Sequence, residues 1–459
     1  MDVSTRLRQV FSKIDIPIFF FTNDAKVALG LEKVIPSYHI VCIDDNPIID
    51  YLIDDGVKVY CYERAVGKKN CLFRSSSQLV AQPAVQKYLE QEAPSGKLAA
   101  LLFKPCGNPF VKFSKFEVTL LNNSPAINWP LENKIEFFQK FRTEFPFPQG
   151  EIARLGTVTF EDLVKSYGPK LVFQFGRGWA GNSTFFIDKE SDFVRLQSQS
   201  PERLVKVSSF VVAQTAINNA CLTNGKTLIS PPFKQVTGLP EYTPYAGGTC
   251  GNNWAGEDFS GEISEKTIRL TEKLGEKMNR IGYRGIFGLD FLITAEGEAL
   301  ISENNARMTA SVPMFTKLEL SAERVPLLAW HIMEFLGVDA QAEGLAIPEG
   351  NLGPVSGGQL ILRNTDIETQ EVGREVTPGV YHQKENDSSS WEFLRAGYSV
   401  DDLKSAKEYL VLPAAKGRRV AHGIEYLRIQ SLAPILGSDG HLMPVLKDLA
   451  ELMRGKMLL

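Results

Sequence analysis

Apolar residues in the first hundred positions come in short, dense runs separated by mixed stretches. Ile16-Pro17-Ile18-Phe19-Phe20-Phe21 is almost wholly apolar, and comparable runs occupy 38–43, 57–62 and 98–103. Such runs read as strands buried on both faces, with helices covering them between. A small parallel α/β domain is the expectation. Past residue 131 the pattern changes. A helix is expected from Glu132-Asn133-Lys134-Ile135-Glu136-Phe137-Phe138 up to Phe145-Pro146-Phe147-Pro148, followed by strands near 170–175, 205–212 and 216–222. Residues 230–260, rich in Gly, Pro and Asn, read as a long loop. An amphipathic helix is expected over 262–281 and a terminal helix over 442–458. Pro348-Glu349-Gly350-Asn351 marks a compositional break.

Residues 288–307 carry the clearest chemistry. Two apolar runs flank a Glu-Gly step, the pattern of a tight hairpin. With the turn centred between Glu296 and Gly297, Leu292 faces Ile301, Ile293 faces Leu300, and Asp290 faces Glu303. Directly opposed side chains have Cβ atoms about 5 Å apart, and like charges there repel. Asn305, two residues past Glu303, returns to the same face. Two carboxylates and an amide oxygen without His or Cys suit magnesium, a cation that usually arrives with phosphates. Arg307 stands two residues past Asn305, able to hold phosphate or a developing oxyanion.

Gly176-x-Gly178-x-x-Gly181 has dinucleotide-fingerprint spacing, but that fingerprint leads into a helix. Here the continuation, Asn182-Ser183-Thr184-Phe185-Phe186-Ile187, is β-branched and aromatic and reads as a strand. A strand, glycine loop and strand make a hairpin flap whose backbone N–H groups can close over phosphates. Asp44-Asp45-Asn46-Pro47, at a strand end, reads as a turn rather than a ribose site.

Composition narrows the class. The 459 residues imply two to four domains. With 44% hydrophobic and 23% charged residues and a net charge of −4, the chain is ordinary for a globular protein and lacks the basic excess of a nucleic-acid binder. No run is long enough to span a bilayer, and the amino terminus shows no signal pattern, so neither a membrane nor nucleic acid is an expected partner. Cys42, Cys61, Cys71, Cys106, Cys221 and Cys250 show no C-x-x-C spacing, which favours a reduced, cytoplasmic protein.

Taken in order, these parts resemble the ATP-grasp superfamily of carboxylate–amine ligases over roughly residues 12–335. Within it, Gln235-Val236-Thr237-Gly238-Leu239-Pro240-Glu241-Tyr242-Thr243, Gly251-Asn252-Asn253 and an added carboxy-terminal domain are most similar to pheganomycin-type peptide ligases. The resemblance implies an α/β and α+β multidomain chain. It would hold a pre-ATP-grasp Rossmann-like domain (1–125), a two-part ATP-grasp fold (126–213 with the flap, 214–350 with the hairpin) and a small carboxy-terminal α+β domain (351–459).

Carried over by position, Asp290, Glu303 and Asn305 match the magnesium ligands, and Lys134 a lysine that meets ATP phosphate. Two magnesium ions are implied, for which manganese can substitute. The resemblance implies that Gly176, Arg177, Gly178, Gly181, Asn182 and Ser183 form the flap side of the nucleotide site. Ser208, Ser209 and Phe210 match the hinge whose backbone reads adenine, and Gln214 falls near the ribose-binding acid. Two positions depart from the family. Gln174 stands where a second phosphate lysine ends the strand before the flap, so that either Arg177 compensates for the lost charge or the nucleotide is held less tightly. Gly288 stands where many such ligases have an Arg, so Arg307, or second Arg284, takes the oxyanion role.

The activity implied is ATP-dependent joining of an amino acid or related acid to an amine or peptide through an acyl phosphate. The competing readings are transfer to another nucleophile such as a thiol, and a non-catalytic ATP-binding module, which Gln174 raises. Arg363, Arg395, Arg419, Arg428 and His382 are candidates to recognise a substrate carboxylate. The 230–260 loop and the carboxy-terminal domain are candidate covers against water, and a homodimer is a further expectation from the superfamily.

Overall fold

The computed structural model describes residues 2–103, 107, 113–178, 181–255, 259, 261–348, 351–384 and 387–458. Cys106, Trp179 and Ala180 of the flap, Glu349 and Gly350 of the compositional break, and residues 256–258 and 260 of the expected loop lie outside them.

The amino-terminal apolar runs form a five-stranded parallel sheet. Ile18–Thr22 is central, with Tyr38–Cys42 and Lys58–Cys61 to one side and Lys97–Leu102 and Glu117–Leu120 to the other. Every residue of Ile18–Thr22 is buried, because strand alternation sends Ile18 and Phe20 into one core and Phe19 and Phe21 into another. Asp44-Asp45-Asn46-Pro47 is a turn: Asn46 Oδ1 accepts from the Ile48 N–H at 3.1 Å. Asp44 pairs with Arg418 at 3.0 Å and Asp45 with Arg64 at 2.6 Å.

Next comes a four-stranded antiparallel sheet ordered Gly150–Arg154, Leu204–Ser209, Leu171–Gln174, Thr184–Ile187. Leu171, Phe173, Val205 and Val207 pack on Leu163, Phe193 and Leu196 of the helices Phe160–Tyr167 and Glu190–Gln199. Alternate residues therefore face the other way, toward the rest of the molecule. The glycine-rich segment is the loop between the paired strands Leu171–Gln174 and Thr184–Ile187, a hairpin flap.

An eleven-stranded sheet spans the remainder. From one edge it runs Ala299–Asn305, Gly285–Ile293, Gln214–Thr223, Phe233–Thr237, Thr249–Ala255, Ser356–Arg363, Glu425–Ser431, Glu408–Pro413, Gly379–Lys384, Asp387–Ala396, with Lys226–Ile229 paired beside Gln214–Thr223. The 230–260 segment is therefore not the expected loop, because its two strands sit inside this sheet. Gly and Asn disfavour strands in general, but here each is required. A Cβ at Gly251 would stand 3.3 Å from Val236 Cβ, while Asn252 pairs with Gln359 at 2.8 Å and Asn253 accepts from the Ile435 N–H at 2.7 Å. The expected division at 350/351 likewise runs through one sheet, since Thr249–Ala255 pairs directly with Ser356–Arg363.

The amphipathic helix Gly261–Arg280 buries Thr267, Ile268, Thr271, Leu274, Gly275 and Met278, one face at helical spacing, and delivers the chain into the hairpin. The terminal helix Pro444–Met457 packs Leu446, Leu449, Ala450, Met453 and Met457 on the far end of the large sheet. Among the described residues no helix is long and apolar enough to cross a membrane.

Candidate active site

The hairpin Gly285–Ile293 and Ala299–Asn305 sets Asp290 against Glu303. Near the turn the register is one residue from expectation: Leu292 faces Leu300, and Ile293 faces Ala299. The ladder shifts between Asp290 and Phe291, where Ser302 is left as an extra residue, a bulge that restores the opposition of the two acids. Asn305 lies two positions beyond Glu303, opposite Gly288.

The helix Lys134–Phe141 points its first residue at this pair. Asn133 caps it, its side chain accepting from the N–H groups of Ile135 and Glu136. Lys134 N–H donates to Gly176 O at 2.8 Å, tying the helix to the base of the flap. The approach is so close that a Cβ at Gly176 would lie 3.1 Å from Asn133 Cγ. Lys134 Nζ reaches Glu303 Oε2 at 2.6 Å. Arg307 is held three ways: by Glu132 at 2.6 Å, by Asn305 Oδ1 at 3.0 Å, and by Met308 O at 3.0 Å. Its ion pair is thus with Glu132 rather than Glu303.

These groups line a cleft of about 590 Å³ that brings together Lys134, Arg177, Gly178, Asn182, Ser183, Glu303, Asn305 and Arg307. Arg177 leans over the Trp129 ring at 4.5 Å, which fixes one flap wall. Gly181 (φ 86°) packs against the 246–248 segment, where a Cβ would meet Gly248 N at 2.6 Å. A side chain at either flap position would therefore open the hairpin from its seat.

The electrostatics mark the acid pair as incomplete. Burial, and after it the facing Glu303, holds the Asp290 carboxyl well above the usual carboxylate range. Asp290 Oδ1 is enclosed and has no hydrogen-bond partner. Burial works against ionisation of Glu303 too, but Lys134, Arg307 and Lys206 outweigh it and hold that carboxyl below its usual value. An enclosed carboxylate oxygen without a donor, opposite a second acid that shares its cleft with the Asn305 amide, fits a hard divalent cation.

Other expected residues lie elsewhere. Arg284 is exposed at the start of the hairpin strand, stacked over Phe335 at 4.5 Å, so it stands outside the cleft, and Arg307 is the arginine the fold brings to the acids. The Ser209 and Phe210 N–H groups are already bonded to Gln149 O (2.9 Å) and Lys170 O (3.0 Å). Ser208 lies inside the sheet, opposite Gly150 and Val172. Gln214 is exposed, opposite Ile293. Gln174 is buried at the end of its strand, its Nε2 3.5 Å from Thr184 Oγ1. Of the carboxy-terminal cations, Arg428 is paired with Glu425 (2.9 Å), Arg395 with Glu408, and His382 with Glu392 (3.3 Å). Arg419 is exposed, its N–H donating to Asn70 Oδ1 at 2.9 Å, and Arg363 donates to Gly423 O at 3.5 Å.

Three residues were missed from sequence. Glu132 and Arg203 line the cleft, and Lys206, opposite Gln174 on the neighbouring strand, is buried on the sheet face away from the apolar core that holds Val205 and Val207. Only Lys206 left a trace, as a charge between two valines.

No family model matches the sequence, and no curated protein matches it. Solved structures do. A carboxyaminoimidazole ribonucleotide synthase from Aspergillus clavatus, complexed with ATP, aligns over 95% of this chain and 98% of its own at TM-score 0.56 and 11% identity. A biotin carboxylase–β-γ-ATP complex from Campylobacter jejuni aligns over 92% and 88% at 0.58 and 14%. The chain has the ATP-grasp fold. The biotin carboxylase domain dimer of Hydrogenobacter thermophilus 2-oxoglutarate carboxylase, bound to MgADP, ADP and bicarbonate, covers 100% of this chain and 89% of its own at 0.50 and 12%. The ATP-grasp architecture thus extends through the carboxy-terminal part of the sheet, beyond the 12–335 region of sequence resemblance.

Proposed function

We propose that this chain is an ATP-dependent carboxylate ligase that activates an acid as its acyl phosphate and transfers the acyl group to an amine, forming an amide or peptide bond and releasing ADP and phosphate. The observation that carries this reading is Glu303, opposed by the enclosed Asp290 on the neighbouring strand and sharing one cleft with Lys134, Arg177, Asn305 and Arg307 beneath a glycine-rich flap of an ATP-grasp fold. ATP complexes of the neighbours, and MgADP in one of them, support the same ligands here.

Asp290, Glu303 and Asn305 would hold Mg²⁺, which when bound screens phosphate charge. Lys134, now spent on Glu303, would exchange that carboxylate for a phosphate oxygen. The backbone N–H groups of Gly178, Asn182 and Ser183, which line the cleft, would lie over the triphosphate, and the closed flap would keep water from a reactive intermediate. The substrate carboxylate oxygen attacks the γ-phosphorus, ADP leaves, and the amine then attacks the acyl carbon with loss of phosphate. Arg307 is already fixed by Glu132 and Asn305, so its guanidinium meets the oxyanion without rearrangement.

The substrates are small molecules, and a peptide ligase of the pheganomycin type is the finer reading. The test is a matrix of acids and amines scored for ADP and phosphate release, with mass detection of condensed product. Bicarbonate belongs among the acids, because the Hydrogenobacter structure was solved with it. ADP release that needs both an acid and an amine, and that is lost in Glu303→Ala, supports the ligase. Tight ATP binding with no turnover across the matrix would make the chain a binding module.

A further inference from the structure

Lys206 lies in the strand Leu204–Ser209 and is only 2% exposed. Its neighbours Val205 and Val207 point into the apolar core behind the small sheet, so alternation turns Lys206 to the opposite face. There its ammonium sits 5.1 Å from the Phe138 ring centre and 5.6 Å from that of Phe147. Among the described residues no carboxylate reaches it. Glu303 is near enough to act on it but is engaged by Lys134 at 2.6 Å. Lys134 itself is a like charge. A buried ammonium without a counter-ion is costly, and aromatic faces offset only part of that cost. Burial, then Lys134, accordingly lower its pKa to about 8, with Glu303 opposing.

The small sheet sets Lys206 directly opposite Gln174. Opposed residues on antiparallel strands share a face, with Cβ atoms about 5 Å apart. Gln174 is neutral and turned to Thr184. The ammonium beside it lies over Phe138, on the helix whose first residue is Lys134, and close enough to Lys134 and Glu303 for both to act on it.

We propose that Lys206, rather than Gln174, supplies the second phosphate-binding cation of the nucleotide site, so that a bound polyphosphate is the counter-ion its burial lacks. This rests on the nucleotide-binding reading above. It also makes a demand that a packing role does not. Lys206→Met puts an apolar, flexible chain between two phenyl rings, so the ligand-free protein keeps its melting temperature or gains, while affinity for phosphates falls.

The experiment titrates the full chain, wild type and variants, with MgATP and with adenosine by calorimetry, and melts each without ligand. A charge-assisted hydrogen bond lost from phosphate predicts MgATP binding weaker by on the order of 10- to 100-fold in Lys206→Met and in Lys206→Gln. Adenosine binding should change little. Gln174→Lys in the Lys206→Met background returns an ammonium to the opposed position and should recover most of the MgATP affinity. MgATP affinity unchanged in both single variants overturns the assignment while leaving nucleotide binding intact. Equal losses for MgATP and adenosine with a lowered melting temperature also overturn it, in favour of a packing role. A wild-type chain that fails to bind MgATP overturns both readings.

Discussion

Asp290→Asn should stabilise the ligand-free protein while destroying its response to MgATP. Asp290 faces Glu303 across the hairpin, and its enclosed Oδ1 has no donor. At pH high enough to ionise both, two charges about 5 Å apart at an effective dielectric of about 20 repel by about 3 kcal/mol. Lys134 beside Glu303 cancels part of this, leaving a gain on the order of 1–2 kcal/mol for the neutral amide. At roughly 2–4 °C per kcal/mol for a unit of 150–250 residues, the melting temperature should rise by roughly 2–8 °C.

The gain depends on pH. Burial and Glu303 raise the folded-state pKa of Asp290 above its ordinary value of 3.8, so the folded protein binds the extra proton. Wild-type stability is therefore greatest below that ordinary value and is lost as pH rises toward the raised one. The Asn variant avoids that loss, so its advantage should be small in acid and grow with pH. Differential scanning fluorimetry across pH, with and without MgATP, measures both effects. A variant that melts lower than wild type without ligand, yet keeps the full MgATP shift, would refute the cation-site reasoning.

Three further outcomes follow from the same geometry. Arg307→Ala should lower kcat by about 10²–10³, the usual loss for an oxyanion donor, with ATP affinity little changed; steady-state kinetics separate the two. Lys134→Ala should raise KM for ATP more than it lowers kcat, since its partner Glu303 remains for the cation. His331 is buried with its pKa lowered to about 4 by burial; its Nδ1 accepts from Ile286 N–H at 3.0 Å and its Nε2 lies 2.9 Å from Leu121 O. Its folded pKa lies below the unfolded 6.5, so stability is full above 6.5 and falls by roughly 3 kcal/mol as pH drops to 4. Urea melts of His331→Phe should lack that acid-side loss.

What could be read from sequence follows physical lines. The amino-terminal strands were legible because sheets covered on both faces need continuous apolar runs, and 16–21 has no other use for three consecutive phenylalanines. Residues 230–260 were not, because their Gly and Asn are strand-unfavourable except against partners such as Gln359, more than a hundred residues later. The opposition of Asp290 and Glu303 was reached through a register that is off by one at the turn and corrected by the bulge at Ser302. Bulges leave no simple sequence mark. Arg284 misled by proximity in sequence: it is six residues before Asp290, but the strand carries it to the far end, over Phe335. Lys206 left only a lone charge in the sequence, because its significance depends on which strand lies beside it. Pairing of 204–209 with 171–174 is long-range information.

Acyl-phosphate formation is tested most directly by trapping. Hydroxylamine, a small amine that needs no fitted site, is added with MgATP and each member of a carboxylic-acid panel, and hydroxamate and ADP are quantified together. The account predicts at least one acid that gives hydroxamate and ADP in equal amounts, with neither formed by Glu303→Ala. ADP released without hydroxamate, or no ADP from a chain that binds MgATP, would contradict it.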